Sequence, residues 1–177
     1  MLVALLLVIG GLSAGAAALL QQQKPLNVRA LQKLGDNLYF ISGGDLDEPG
    51  RTTWTGGNSL VLVRDAGVVL VDTMLPGAGR GILSQIKSVT DKPVTMIINT
   101  HTHYDHTEGN PDFPATAEVV THENTAKLMP EMRIPYGVTL TDRNVFKDSK
   151  GRGLPKRTFS DQMTIGSDST LRPRQPP

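Results

Sequence analysis

The sequence lacks cysteine, is poor in aromatic residues and carries almost no net charge. Its 177 residues include no Cys, 5% aromatic residues and a formal net charge of +1. Without cysteine, neither a disulfide framework nor a thiolate zinc site can form, so any metal must be held by His, Asp or Glu. Without a basic excess, there is no electrostatic reason to expect a nucleic acid partner. We therefore expect a small-molecule substrate, and the composition leaves the oligomeric state open.

The length and the hydrophobic pattern predict one α/β domain. A chain of this length can build one core but is short for two domains. Strands are predicted at 38–42, 58–63, 68–71, 94–98 and 117–120, with one more beginning near 159. Helices are predicted from about Pro76 to Asp91 and over 123–132. The strand–helix–strand order between 68 and 98 predicts a right-handed crossover and a partly parallel sheet.

Both ends of the chain have a composition unlike the middle. Residues 1–23 contain no charge and include an apolar run followed by Gly, Ser and Ala, which is typical of an export signal, although a basic start is missing. The predicted location is therefore periplasmic or secreted, and the alternative is an uncleaved membrane anchor. Residues 167–177 contain one Leu and no other large apolar residue, which predicts a disordered tail. The predicted domain is 24–166.

A cluster of histidines is the strongest indication of chemistry. Three of the four histidines, His101, His103 and His106, lie within six residues and follow an apolar strand. In an extended segment, alternate side chains share one face, so His101 and His103 can bind the same ion. Asp105 and His106 follow on a turn, where they suit a second metal or a water held by the first. The alternative is a solvated turn that happens to be rich in histidine.

The sequence His101-Thr102-His103-Tyr104-Asp105-His106 resembles the metal-binding motif of the metallo-β-lactamase superfamily. Segments 55–59, 68–73, 97–100 and 109–110 are similar to family segments too, and the resemblance covers roughly residues 36 to 166. It implies an αββα sandwich with one or two zinc ions, and hydrolysis of a β-lactam, lactone, thioester or related ester by metal-bound hydroxide. By position, His101 and His103 would bind the first Zn²⁺, and Asp105 and His106 the second. Asp105 is also the predicted catalytic residue, and Asp72 would support the ligands from behind.

The sequence departs from the family pattern after this motif. The family completes its site with two further histidines and an aspartate from its C-terminal half, but no histidine follows His122 here. We interpret His122 as a helix-start or core histidine and not as a ligand. Glu108 stands where the family usually has glycine. The expectation is the N-terminal half of the sandwich, with weak or no activity. The alternatives are an iron-dependent dioxygenase on the same scaffold and a non-catalytic metal-binding or interaction module.

Overall fold

The computed structural model describes residues 26–44, 54–131 and 144–165. Within these ranges, one seven-stranded sheet has its strands in chain order. The strands are β1 (Gln32–Lys33), β2 (Leu38–Ile41), β3 (Ser59–Arg64), β4 (Gly67–Val71), β5 (Val94–Asn99), β6 (Glu118–His122) and β7 (Arg157–Phe159). The helices are α1 (Gly79–Lys87), α2 (Tyr104–Thr107), α3 (Glu123–Leu128) and α4 (Val145–Asp148), with 3₁₀ turns at Asn110–Asp112 and Met129–Glu131.

The sheet changes from antiparallel to parallel at β4. Strands β1 to β4 pair antiparallel, and β4 to β7 pair parallel. The predicted hairpin is confirmed, since β3 and β4 are joined through Asp65 and Ala66. Gly67 closes this turn at φ 134°, and a Cβ there would collide with Thr95. Only glycine fits such a position without strain.

Helix α1 connects β4 to β5 but is shorter than the sequence predicted. It begins at Gly79 and not at Pro76, because the chain first turns at Gly77, which has φ 91°. The carboxylate of Asp112 then accepts hydrogen bonds from the amides of Gly77 (2.7 Å) and Gly79 (3.0 Å), which satisfies the start of the helix. At the other end the helix stops at Lys87, and Val89 is 38% exposed.

Other predicted bounds also shift. The two-residue strand β1 was not predicted, and the helix predicted over 123–132 ends as an α-helix at Leu128 before a 3₁₀ turn. The strand predicted near Phe159 is β7. None of the helices within the described ranges has the length and apolar character needed to cross a membrane. The predicted leader (1–23) and tail (167–177) lie outside those ranges and stay predictions.

The two faces of the sheet differ in burial. On one face α1 packs against the strands, and the buried core there includes Leu70, Ile82 and Ile97. Side chains on a strand alternate between faces, so the neighbouring positions point to the opposite face. That opposite face is also apolar, but most of its side chains are only half-buried or exposed. It is formed by Leu38, Phe40, Leu60, Leu62, Val69, Val71, Met96, Ile98 and Val120.

Candidate metal centre

The candidate site lies where the two central parallel strands end. Asp72 follows β4, and the histidine segment follows Asn99 at the end of β5. The amide of Asp72 donates to the carbonyl of Ile98 (2.9 Å), which joins the two strand ends. Asp72 and Met74 both have positive φ, 59° and 62°, so the chain reverses sharply here. The carboxyl ends of parallel strands are where open α/β sheets form their sites.

Asp72 is a buried carboxylate with three hydrogen-bond donors. Its side chain accepts from the backbone amide of Thr100 (2.9 Å) and from the Thr100 hydroxyl (2.7 Å). The third contact joins Asp72 Oδ2 to His106 Nδ1 at 2.8 Å. Asp72 is only 4% exposed, and these bonds replace the water that the carboxylate loses on burial. Asp72 therefore positions the histidine segment through hydrogen bonds, which is the supporting role that the family resemblance implies.

The contact with Asp72 fixes the orientation of the His106 ring. A carboxylate only accepts hydrogen bonds, so Nδ1 of His106 carries a proton, and in the neutral ring Nε2 keeps its lone pair. The Asp72 hydrogen bond raises the pKa of His106, with burial opposing it and the charges of Asp72 and Asp105 adding to it. Nε2 lies 3.5 Å from Asp105 Oδ2. Two ligands at zinc bond lengths in tetrahedral geometry lie about 3.4 Å apart, so this pair fits one ion.

The rings of His101 and His103 lie beside His106. The centroid of His101 is 4.2 Å from that of His106 and 4.5 Å from that of His103. Burial lowers the pKa of His101, and the neighbouring His106 and His103 lower it further. A lowered pKa favours the neutral imidazole, which is the form that binds metal. His103 is the exposed member of the cluster.

One group of potential ligand atoms differs from the predicted pairing. Atoms of Asp72, His101 and His106 all lie within 4.8 Å of one another. We assign Asp72 to support and not to the ion, because its two oxygens already accept three hydrogen bonds. His106 therefore connects the cluster: its ring contacts that of His101, its Nε2 lies near Asp105, and His103 lies at the exposed side. Asp105 and His106 lie on the one-turn helix α2, not on the turn that the sequence predicted.

A buried amide network that the sequence reading missed anchors the backbone of the site. The carbonyl of His106 accepts from the amide and hydroxyl of Thr73 (2.9 and 3.2 Å) and from Asn99 Nδ2 (3.1 Å). Asn99 and Asn110 exchange amide hydrogen bonds of 2.7 and 3.2 Å. Buried side-chain amides are nearly always hydrogen-bonded, and here the two partners, Asn99 and Asn110, lie 11 residues apart in the chain. In the sequence, this network is indicated by Asn99, a polar residue at the end of an apolar strand.

His122 and Trp54 have structural surroundings. Nδ1 of His122 accepts from the amide of Asn124 (3.1 Å) and caps α3, while Nε2 donates to the carbonyl of Ser160 (2.8 Å). Both ring nitrogens are engaged, which supports the interpretation of His122 as a helix-start residue. Trp54 is half-buried and meets the edge of Tyr104 with ring centroids 6.3 Å apart. Tyr104 lies between His103 and Asp105 in the chain.

Gly57 packs directly under the His106 ring. Its amide donates to the carbonyl of Asp105 (2.8 Å), and a Cβ at Gly57 would overlap Cε1 and Nε2 of His106. Gly57→Ala should therefore displace the ring and weaken zinc binding about 10-fold or more, which is the range for lost support around a metal ligand. Competition with a chelating dye measures the affinity. Gly35→Ala is the control, because the nearest atom to a Cβ there is 3.8 Å away. Equal affinity in both variants would contradict the contact.

Comparison with known proteins identifies the family of the chain. The family model of the metallo-beta-lactamase superfamily matches residues 52–162, and the chain belongs to this superfamily of metal-dependent hydrolases. The chain is 50% identical over 52 residues to a probable metallo-hydrolase of Streptococcus pyogenes serotype M6, a match covering 29% of this chain and 21% of the relative. It is 39% identical over 74 residues to the 2,4-dinitroanisole O-demethylase subunit alpha of Nocardioides sp. strain JS1661, covering 40% and 23%.

The fold of a solved relative agrees as well. The structure of a metallo-beta-lactamase from Pontibacter korlensis aligns with a TM-score of 0.56 at 21% identity, covering 78% of this chain and 55% of that enzyme. The predicted metallo-β-lactamase-like α/β fold class is therefore confirmed, with a match that covers part of that enzyme. The chain spans less than a quarter of the length of the two curated relatives.

Proposed function

We propose that the chain contributes to a zinc-dependent hydrolase acting on a β-lactam, lactone, thioester or related ester. The observation that carries the proposal is the pair formed by Asp105 Oδ2 and His106 Nε2, 3.5 Å apart, with the other nitrogen of His106 held by buried Asp72. A spacing suited to one ion and a ring locked by a carboxylate are what metal-binding histidines commonly show.

Each candidate side chain would have a distinct role in this hydrolase. His101 and His103 would hold one zinc ion, and Asp105 and His106 a second. Zinc would supply polarisation of the scissile carbonyl and a nucleophile at neutral pH. Asp105 would be the catalytic residue, because its carboxylate can act as a metal ligand and can accept a hydrogen bond from a nearby water. Asp72 keeps the imidazoles oriented and touches no substrate.

The proposed substrates follow from the names of the relatives and from two aromatic side chains. One relative is named a probable metallo-hydrolase and the other the alpha subunit of a 2,4-dinitroanisole O-demethylase. The half-buried ring of Trp54 and its edge contact with Tyr104 offer an apolar surface near the ligands. We therefore include substrates with an aromatic group: nitrocefin, an aryl lactone, an aryl thioester and 2,4-dinitroanisole.

The test is metal dependence of turnover in two proteins. One is the 177-residue chain, and the other is an extended protein that adds the C-terminal part of the Pontibacter korlensis enzyme. Each is stripped with a chelator, then supplied with Zn²⁺ or Fe²⁺ and assayed on the four substrates. Recovery with Zn²⁺ and no oxygen uptake supports the hydrolase. Recovery only with Fe²⁺ and oxygen indicates the dioxygenase, and zinc binding without turnover in either protein indicates a non-catalytic module.

A further inference from the structure

We propose that Thr100 is a positioning residue that sets the tautomer of His101, so that Nε2 of this ring is the atom presented to a metal. Thr100 lies just outside the motif of residues 101 to 106. It lies between β5 and the first histidine, and its hydroxyl lies between a buried carboxylate and an imidazole. Metal binding by Nε2 of His101 rests on the proposed function, whereas the tautomer of the ring does not.

The inference depends on one hydroxyl that has two partners. Thr100 Oγ1 lies 2.7 Å from Asp72 Oδ2 and 2.9 Å from His101 Nδ1. A threonine hydroxyl has a single proton, and a carboxylate can only accept. The proton therefore points to Asp72, and the oxygen of Thr100 is left as an acceptor. His101 can form its contact only by donating, so Nδ1 carries its proton and Nε2 keeps the lone pair.

The reverse arrangement fails at Asp72. If Thr100 donated to His101, two acceptor oxygens would face each other at 2.7 Å with no proton between them. A proton on Oδ2 of Asp72 would repair that contact, but the same oxygen already faces His106 Nδ1 at 2.8 Å. Oδ1 accepts from the Thr100 amide at 2.9 Å. The carboxylate with three donors is the arrangement that satisfies every group, as burial demands.

One buried carboxylate thus orients two rings. Asp72 fixes His106 by direct contact and fixes His101 through the hydroxyl of Thr100. In both neutral rings Nε2 then keeps the lone pair. Metal-binding histidines usually donate their second nitrogen to a carboxylate or carbonyl, and here a hydroxyl extends the reach of a single carboxylate.

The experiment compares the full chain with Thr100→Val and Thr100→Ser. Long-range ¹⁵N–¹H spectra of the metal-free proteins, recorded at about pH 8 where histidine is neutral, report which nitrogen of His101 is protonated. We expect Nδ1–H in the parent and in Thr100→Ser, and a mixture in Thr100→Val. Zinc affinity should fall about 10-fold in Thr100→Val alone. Thr95→Val is the control, since it removes a hydroxyl from the far end of β5, where Thr95 contacts Val68.

Two results would overturn the inference. The first is Nε2–H as the main form of His101 in the parent protein, which needs no variant and so does not depend on how a variant folds. The second is an unchanged Nδ1–H population in a folded Thr100→Val. If zinc does not bind to any of the proteins, the proposed function fails, but the spectra still decide the role of Thr100.

Discussion

Specific zinc binding should disappear when His101 and His103 are both replaced by alanine. These rings have centroids 4.5 Å apart, and His101 also lies 4.2 Å from His106. Removing them halves the set of candidate ligands and leaves only Asp105 and His106, fewer than the three or four ligands that zinc sites in proteins commonly use. The chain has no cysteine that could replace them. Zinc bound per chain, measured by elemental analysis after dialysis, is expected to fall to background.

His122→Ala is the matched control for this loss. It also removes one histidine, but both nitrogens of His122 are already used, on Asn124 and Ser160. Loss of the cap on α3 should cost about 1 kcal/mol of stability without changing zinc stoichiometry. Circular dichroism would verify that all variants are folded. Unchanged zinc content in the double variant, or an equal loss in His122→Ala, would reject the assignment of the site.

Turnover by the 177-residue chain should be at least about 100-fold slower than turnover by the extended protein. Catalytic zinc sites commonly use three protein ligands and an open position for water, whereas the four candidate residues give two per ion. The family resemblance implies that the complete family site takes further ligands from C-terminal segments. With two ligands, the ion is held loosely and its water is poorly oriented, so the lowering of the water pKa is incomplete.

The opposite face of the sheet adds a second reason for this difference. Phe40, Leu60 and Met96 are apolar and only half-buried, and apolar surface of this extent favours association. The extended protein would cover that face with a second sheet. Initial rates with saturating Zn²⁺, together with sedimentation of both proteins, test the two effects separately. The control is the extended protein with His101 and His103 replaced. Equal rates in the two zinc-loaded proteins would show that residues 101 to 106 suffice.

Much of the sheet could be predicted because its strands are marked by local patterns. The β-branched runs of β3 and β4 are separated by a short turn, and β5 is an apolar run that ends at a polar residue. The site motif was equally readable, since the spacing of His101, His103 and His106 is local. Both kinds of information lie within a few neighbouring residues.

The remaining features depend on contacts between distant residues. The start of α1 is set by Asp112, which lies 33 residues beyond Gly79. The support of the site joins Thr73 to Asn110, 37 residues apart. Sequence periodicity and residue propensity carry no information about such distant pairs. The late start of α1 and the amide network were therefore visible only in the structure. Asp72 was found from the sequence only through family resemblance, because an aspartate after a strand is common in turns.

The order of the strands has a consequence for synthesis of the chain. Because strand order follows chain order in the described sheet, each strand pairs with one that has already left the ribosome. The four candidate ligands at positions 101 to 106 are all made once His106 is added, 34 residues after the carboxylate that holds its ring. A nascent chain could therefore capture zinc while later residues are still being added. The bound ion would then hold the ends of β4 and β5 together before the rest of the protein folds.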